Sequence, residues 1–193
     1  QHADLTADIT TKALTVSGLT ASDKVYDGTT DAGTIEIPND ALTGLVSGDT
    51  VTVAATGTFD TKNVGENKTI TLTSTYDGAH LLNYTITDQA TYSLADITPK
   101  SLTVSGLTAA NKIYDGNTVA EYTGTAAVAA VNNDQVTINT DNMLVAFDNK
   151  NVDTNKTVTV SGVLIEGDDR ANYSVNQHAD LTADITTKAL TVS

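Results

Sequence analysis

The chain has 193 residues, no Cys, no Trp and a net charge of −14. That length holds one or two domains, and the missing Cys excludes disulfides, thiol catalysis and Cys-ligated metals. The acidic coat argues against nucleic acid or anionic membrane as a partner, and no apolar run approaches the roughly 18 residues of a spanning helix. The charge is spread evenly, −7 over residues 9–96 and −6 over 97–184. With two Phe and seven Tyr, any core must be built from Val, Ile, Leu, Ala and Thr methyls. Thr-rich sequence favours strands over helices.

The chain opens QHADL, and LTADITTKALTVSGL (5–19) is strand-like throughout. KVYDGTT (24–30) follows, where Asp27-Gly28 breaks the alternation. Gly permits positive φ, and Asp before it can bond the turn backbone. The expected structure is therefore a strand end, Tyr26 packed into the core, and a tight turn. Period-two strands are predicted at TVTVAATG (50–57), KTITLTST (68–75), YTIT (84–87), TYSLADI (91–97), QVTINT (135–140) and KTVTVSG (156–162). Thr lines one face and aliphatic side chains the other. Turns are predicted at Ser-Gly-Asp (47–49), Val-Gly-Glu-Asn (64–67), Tyr-Asp-Gly (76–78) and Glu-Gly-Asp-Asp (166–169). Only AAVAAV (126–131) suggests a helical turn.

Much of this is written twice. ITTKALTVSGLTASDKVYDGTT (9–30) and ITPKSLTVSGLTAANKIYDGNT (97–118) agree at 16 of 22 positions. FDTKNVGENKTI (59–70) answers FDNKNVDTNKTV (147–158), and NYTI (83–86) answers NYSV (172–175). The middles, 31–58 and 119–146, barely align, and QHADLTADITTKALTVS (1–17) is identical to 177–193. Repetition at this spacing predicts a tandem array. Residues 1–8 are expected to end a preceding repeat, 9–96 and 97–184 to form two repeats, and 185–193 to begin a following one. Unlike neighbours should exchange strands less readily than identical ones.

The fold class expected is all-β: two small β-sandwich-like domains. The junction TYSLADITPKSLTVSGL (91–107) has no Gly-Ser linker, and Pro99 stiffens it. A last strand running directly into the next first strand predicts an elongated rod.

K-x-Y-D-G, the F-D-x-K-N-V block, the late N-Y and A-D-I-T-P-K at the boundary together resemble the YDG-type repeat and the related, mostly-β MBG repeats. The matching positions are Lys24, Tyr26, Asp27, Gly28, Asn83 and Tyr84, then Lys112, Tyr114, Asp115, Gly116, Asn172 and Tyr173. Such repeats occur in tandem in large bacterial surface adhesins and filamentous-haemagglutinin-like exoproteins. The resemblance implies an extracellular or cell-surface stalk, monomeric, with neighbouring repeats as partners and the host or matrix ligand bound elsewhere in the full protein. The alternative is that the repeats themselves bind host or matrix glycans weakly, with avidity from number.

No nucleophile–base–acid set stands out, so no enzyme, catalytic residue or cofactor is expected. Calcium is the one metal considered: Asp8, Asp96 and Asp184 lie at junctions, and Asp60/Asn63 and Asp148/Asn151 form oxygen pairs. None fits a calcium-loop pattern. Lys24 with Asn83, and Lys112 with Asn172, are the residue types of an isopeptide cross-link, with Asp27 or Asp115 as proton shuttle. Asn67, Asn83, Asn155 and Asn172 stand in N-x-[ST] sequons. His2 and His178 occupy one repeat position, and Tyr76, Tyr92 and Tyr122 have no counterpart in the other repeat.

Overall fold

The computed structural model describes residues 5–131 and 133–192; His2 lies outside them. The chain divides into two compact units, Gln1–Thr98 and Pro99–Ser193. All regular structure among the described residues is strand, apart from two 3-10 turns at Leu81–Asn83 and Arg170–Asn172. The fold is all-β.

In unit 1 the strands are β1 (Lys12–Val16), β2 (Thr20–Ala21), β3 (Lys24–Val25), β4 (Ile35–Glu36), β5 (Leu42–Thr43), β6 (Thr52–Phe59), β7 (Gly65–Asp77), β8 (Tyr84–Thr87) and β9 (Thr91–Thr98). A four-stranded sheet runs β3-β9-β7-β6, a three-stranded one β5-β1-β8, and β2 pairs with β4. The repeat's first strand β1 lies parallel to the late strand β8, with Leu14 opposite Ile86. The YDG strand β3 lies parallel to the last strand β9, with Lys24 opposite Ile97. The two ends of each repeat therefore hold each other.

Unit 2 repeats the plan with β10 (Lys100–Thr103), β11 (Ser105–Ala109), β12 (Lys112–Ile113), β13 (Tyr122–Ala127), β14 (Thr137–Asn139), β15 (Leu144–Phe147), β16 (Asp153–Ser161), β17 (Leu164–Glu166), β18 (Tyr173–Asn176) and β19 (Leu181–Thr186). Here β12-β19-β16-β15 form the large sheet, and β10 lies parallel to β18. The units differ at the long hairpin. In unit 1, β6 and β7 pair without interruption from Phe59–Ile70 to Thr52–Asp77. In unit 2 the chain breaks at Gly162, whose φ is +77°, and β17 turns to pair with β14. A Cβ at Gly162 would stand 2.1 Å from the Asn142 carbonyl oxygen, so only Gly permits that kink.

Alternation decides which face is buried. In β7, Ile70 and Leu72 point inward while Thr69, Thr71 and Thr73 face solvent. In β16, Lys156, Val158 and Val160 are buried and the Thr residues between them exposed. Unit 2 closes on Val104, Leu107, Phe147, Val158, Val160, Val163, Leu181 and Ile185. In unit 1, Leu14, Val51 and Tyr84 form one buried cluster, and Leu19, Tyr26, Ile70 and Ile97 are among the most buried side chains.

Two local expectations need correction. Val64-Gly65-Glu66-Asn67 carries turn residues, yet Gly65–Asn67 lie inside β7. The pairing register of β7 with β9 slips between Gly65 and Lys68, and Asn67 takes a φ of +49°. Gly and Asn here make a β-bulge, because a bulge needs the same left-handed backbone as a turn. AAVAAV is not helical: Ala126 and Ala127 end β13 and 128–131 carry no helix.

Candidate functional site

The repeated phrase builds the same small structure in both units. Gly28 and Gly116 adopt φ of +82° and +87°, the left-handed step that lets the chain reverse. Asp27 accepts the Thr29 N–H at 2.8 Å, and Asp115 accepts the Asn117 N–H at 3.1 Å. Behind the turn, the Lys24 ammonium donates to the Thr29 and Asp31 carbonyls at 3.2 and 2.8 Å and pairs with Asp27 at 2.8 Å. The Lys112 ammonium reaches the Asn117 and Val119 carbonyls at 3.1 and 2.9 Å and Asp115 at 2.8 Å. Both ammoniums sit 5.8 Å from a Phe ring centroid, Phe59 or Phe147, within cation–π range. Lys snorkels: its stem is buried and its head meets the carbonyls of the loop that follows. Tyr26 is 1 % exposed and has Lys62 5.8 Å over its ring, while Tyr114 is only half-buried.

A second ion pair holds the F-D-x-K-N-V loop. Lys68 meets Asp60 at 2.8 Å and Lys156 meets Asp148 at 2.8 Å. The Lys ammonium beside Asp60, Asp115 and Asp148 holds each carboxyl below its ordinary range. At Asp27 partial burial pushes upward, but hydrogen bonds from Lys24 and Thr29 outweigh it and the carboxyl is lowered. The junction aspartates are capping groups. Asp96 accepts the bulge N–H of Asn67 at 2.7 Å, and Asp184 that of Asn155 at 2.8 Å. The Asp96 N–H in turn donates to Asp23 at 2.8 Å, and the Asp184 N–H to Asn111 at 2.8 Å. Asp8 is exposed and lies outside any strand. Among the described residues no group of three or more His, Asp or Glu has metal-site geometry.

The late N-Y motif makes a clamp. The Tyr84 hydroxyl donates to Asp49 at 2.6 Å and accepts the Val46 N–H at 3.0 Å. The Tyr173 hydroxyl donates to Asp134 at 2.6 Å and accepts the Val131 N–H at 2.9 Å. Burial, followed by the bond to Asp49, raises the Tyr84 pKa. The partners Val46/Asp49 and Val131/Asp134 lie in the middles that barely align. Their spacing is 85 residues instead of 88, so an alignment at constant offset hides them. Gln89 grips the Leu19 backbone through both amide atoms, whereas its counterpart Gln177 grips Val163.

The isopeptide residue types lie on different elements of the fold. Lys24 belongs to the large sheet, while Asn83 is exposed in the 3-10 turn before β8. Asn172 occupies the same turn in unit 2, before β18, and is 4 % exposed. That burial also removes Asn172 from the accessible sequons; Asn67, Asn83 and Asn155 are exposed. Tyr76 donates to Asp88, Tyr92 is half-buried on β9, and Tyr122 is 42 % exposed at the start of β13. His178 is half-buried and its Nδ1 lies 2.9 Å from the Ala179 carbonyl.

The turn, the F-D-x-K-N-V loop and the Tyr clamp are bonded to backbone and side chains of their own repeat. Comparison with curated proteins and with solved structures gave no significant match. The family model described as "YDG domain" matches residues 10–92 and again 98–183. The chain therefore belongs to the YDG domain family, as two tandem copies of that domain.

Proposed function

We propose that these repeats are mechanical extenders of a bacterial cell-surface adhesin, located outside the cell and holding a distal binding region away from it. The observation that carries this reading is the joint. β9 belongs to unit 1 and ends at Thr98, β10 belongs to unit 2 and begins at Lys100, and Pro99 alone separates them. Proline fixes φ near −65° and cannot donate to a ladder, which restrains one torsion of the link. A tether meant to swivel is written with Gly and Ser. The net charge of −14 keeps such a repeat array soluble and apart from nucleic acid, and neighbouring repeats of the same chain are its partners.

Small-angle scattering tests this directly. The expected result is one elongated particle whose pair-distance distribution is unchanged between low and high salt. Two lobes sampling a broad range of separations would refute the extender role. Replacing Pro99 with a Gly-Ser pair supplies the comparison, and it should broaden the distribution.

A further inference from the structure

The tripeptide Tyr-Asp-Gly occurs at 26–28 and 114–116, and a third time at 76–78. The structure handles the three in two ways. Asp27 and Asp115 turn past the neighbouring glycine. Each carboxylate accepts the N–H two residues on, Thr29 at 2.8 Å and Asn117 at 3.1 Å, and pairs with a Lys ammonium at 2.8 Å. Asp77 does neither. It is exposed at the end of β7, and among the described residues no ammonium pairs with it. Its Oδ1 accepts the Gly78 N–H at 2.7 Å. The Cγ carbon, one bond behind that oxygen, is thereby brought against the next amide nitrogen of the chain.

Glycine is obligatory at that nitrogen. Gly78 adopts φ +136°, and a Cβ there would stand 2.3 Å from the Thr50 carbonyl oxygen. The same requirement leaves the nitrogen unhindered. Asp60, Asp148 and Asp153 also accept the next N–H, at 2.8, 2.7 and 2.8 Å, but the side chain of Thr61, Asn149 or Thr154 crowds that nitrogen. Unit 2 keeps the turn, with Gly167 at φ +110° and a Cβ 2.1 Å from the Gln135 carbonyl oxygen, yet it carries Glu166 where unit 1 carries Asp77. The extra methylene of Glu rules out closure of a five-membered ring.

We propose that Asp77-Gly78 is a site of spontaneous backbone modification, passing through a succinimide to isoaspartate, and that the Lys-paired turns at Asp27 and Asp115 are protected from it. The Gly78 nitrogen bonds to Cγ of the protonated Asp77 carboxyl, and the carboxyl OH leaves with the amide proton as water. Water then adds to the imide carbonyl that was the Asp77 main-chain carbonyl, and its bond to the Gly78 nitrogen breaks. Gly78 is left joined through Cγ, and the former main-chain carbonyl becomes a free carboxylate. No reactant other than water is needed. That carbonyl accepts the Thr52 hydroxyl at 3.2 Å, and Asp77 stands opposite Thr52 in the β6–β7 ladder; the added main-chain carbon displaces both. At Asp27 and Asp115 the hydrogen-bonded ammonium favours the ionised carboxyl, which is a poor acyl donor. The inference is independent of the extender role.

Ageing the whole chain in warm, mildly acidic buffer tests this, with digestion and electron-transfer fragmentation to distinguish the β-linked residue. Isoaspartate is expected to accumulate at position 77 several-fold faster than at 27 or 115. Aged in guanidinium, where no turn is kept, the three Tyr-Asp-Gly steps should react at similar rates. Asp77→Glu, the residue unit 2 uses, should abolish the product at 77 and leave the fresh protein's melting midpoint unchanged. Equal rates at the three steps in the folded chain, or faster reaction at 27 or 115, would overturn the proposal. So would the same ranking in guanidinium, since the preference would then owe nothing to the fold.

Discussion

Gly57, in β6 opposite Leu72, is enclosed by core side chains. A Cβ there would lie 2.7 Å from Ile35 Cδ1, 2.8 Å from Ile70 Cγ2 and 3.1 Å from Ala32 Cβ. At the equivalent position unit 2 carries Val145, 8 % exposed and opposite Val160, and Val158 stands where unit 1 has Ile70. The two repeats fill one core with a different division of volume. Gly57→Ala should therefore overpack unit 1. Overpacking costs about 1–3 kcal/mol, and the stiffer unfolded chain returns about 0.4–1 kcal/mol, leaving a net loss of roughly 1–2 kcal/mol by those two estimates. For a domain of this size each lost kcal/mol lowers the midpoint by about 4–8 °C. Ile35→Val alone should cost about 0.5–1.5 kcal/mol by removing its buried Cδ1 methyl, the atom nearest a Cβ at position 57. In the Gly57→Ala background it should cost less or even restore stability, because it opens the space the new methyl needs. Urea unfolding followed by amide exchange assigns the effect to unit 1 and leaves unit 2 as internal reference. A Gly57→Ala chain as stable as the parent, or costs that simply add, would refute the volume argument.

Three further outcomes are expected. Asp27, Asp60, Asp115 and Asp148 have pKa values lowered from 3.8 in the folded chain. Their contribution is therefore complete above the unfolded value and lost as pH falls through the folded ones; Lys68→Met with Lys156→Met should flatten the midpoint-versus-pH curve below about pH 4. Tyr173→Phe removes a hydroxyl that serves both Asp134 and the Val131 N–H; a loss of about 1–3 kcal/mol in urea is expected, while Asp134→Asn, which keeps an acceptor, should lose less. Gly116→Ala meets no atom within 4 Å and carries only backbone strain at φ +87°, whereas a Cβ at Gly124 would stand 2.0 Å from the Gly106 carbonyl oxygen. Thermal melts should rank Gly124→Ala well below Gly116→Ala, the latter costing about 1–2 kcal/mol.

Strand class and the YDG turn were legible in the sequence because they depend on neighbours in the chain. Alternation places Ile70 and Leu72 inward whatever they meet, and Asp-Gly reverses the backbone by itself. The Tyr clamps were half legible. Tyr84 and Tyr173 recur in N-Y motifs, but Val46/Asp49 and Val131/Asp134 sit at a shifted spacing, and only pairing across the fold links them. The bulge at Asn67 was misread as a turn, since left-handed backbone serves both.

LTADIT and KALTV mark the limit of what sequence decides. At 181–186 the first is strand β19, held between β12 and β16; at 5–10 the same six residues lie outside any strand, with Leu5 and Ile9 wholly exposed. At 12–16 the second is β1; at 188–192 it is unpaired. The sequence determined that these segments are able to be strands. Tertiary structure decided which of them are, because a strand has no hydrogen bonds of its own and exists only where a neighbouring edge supplies them.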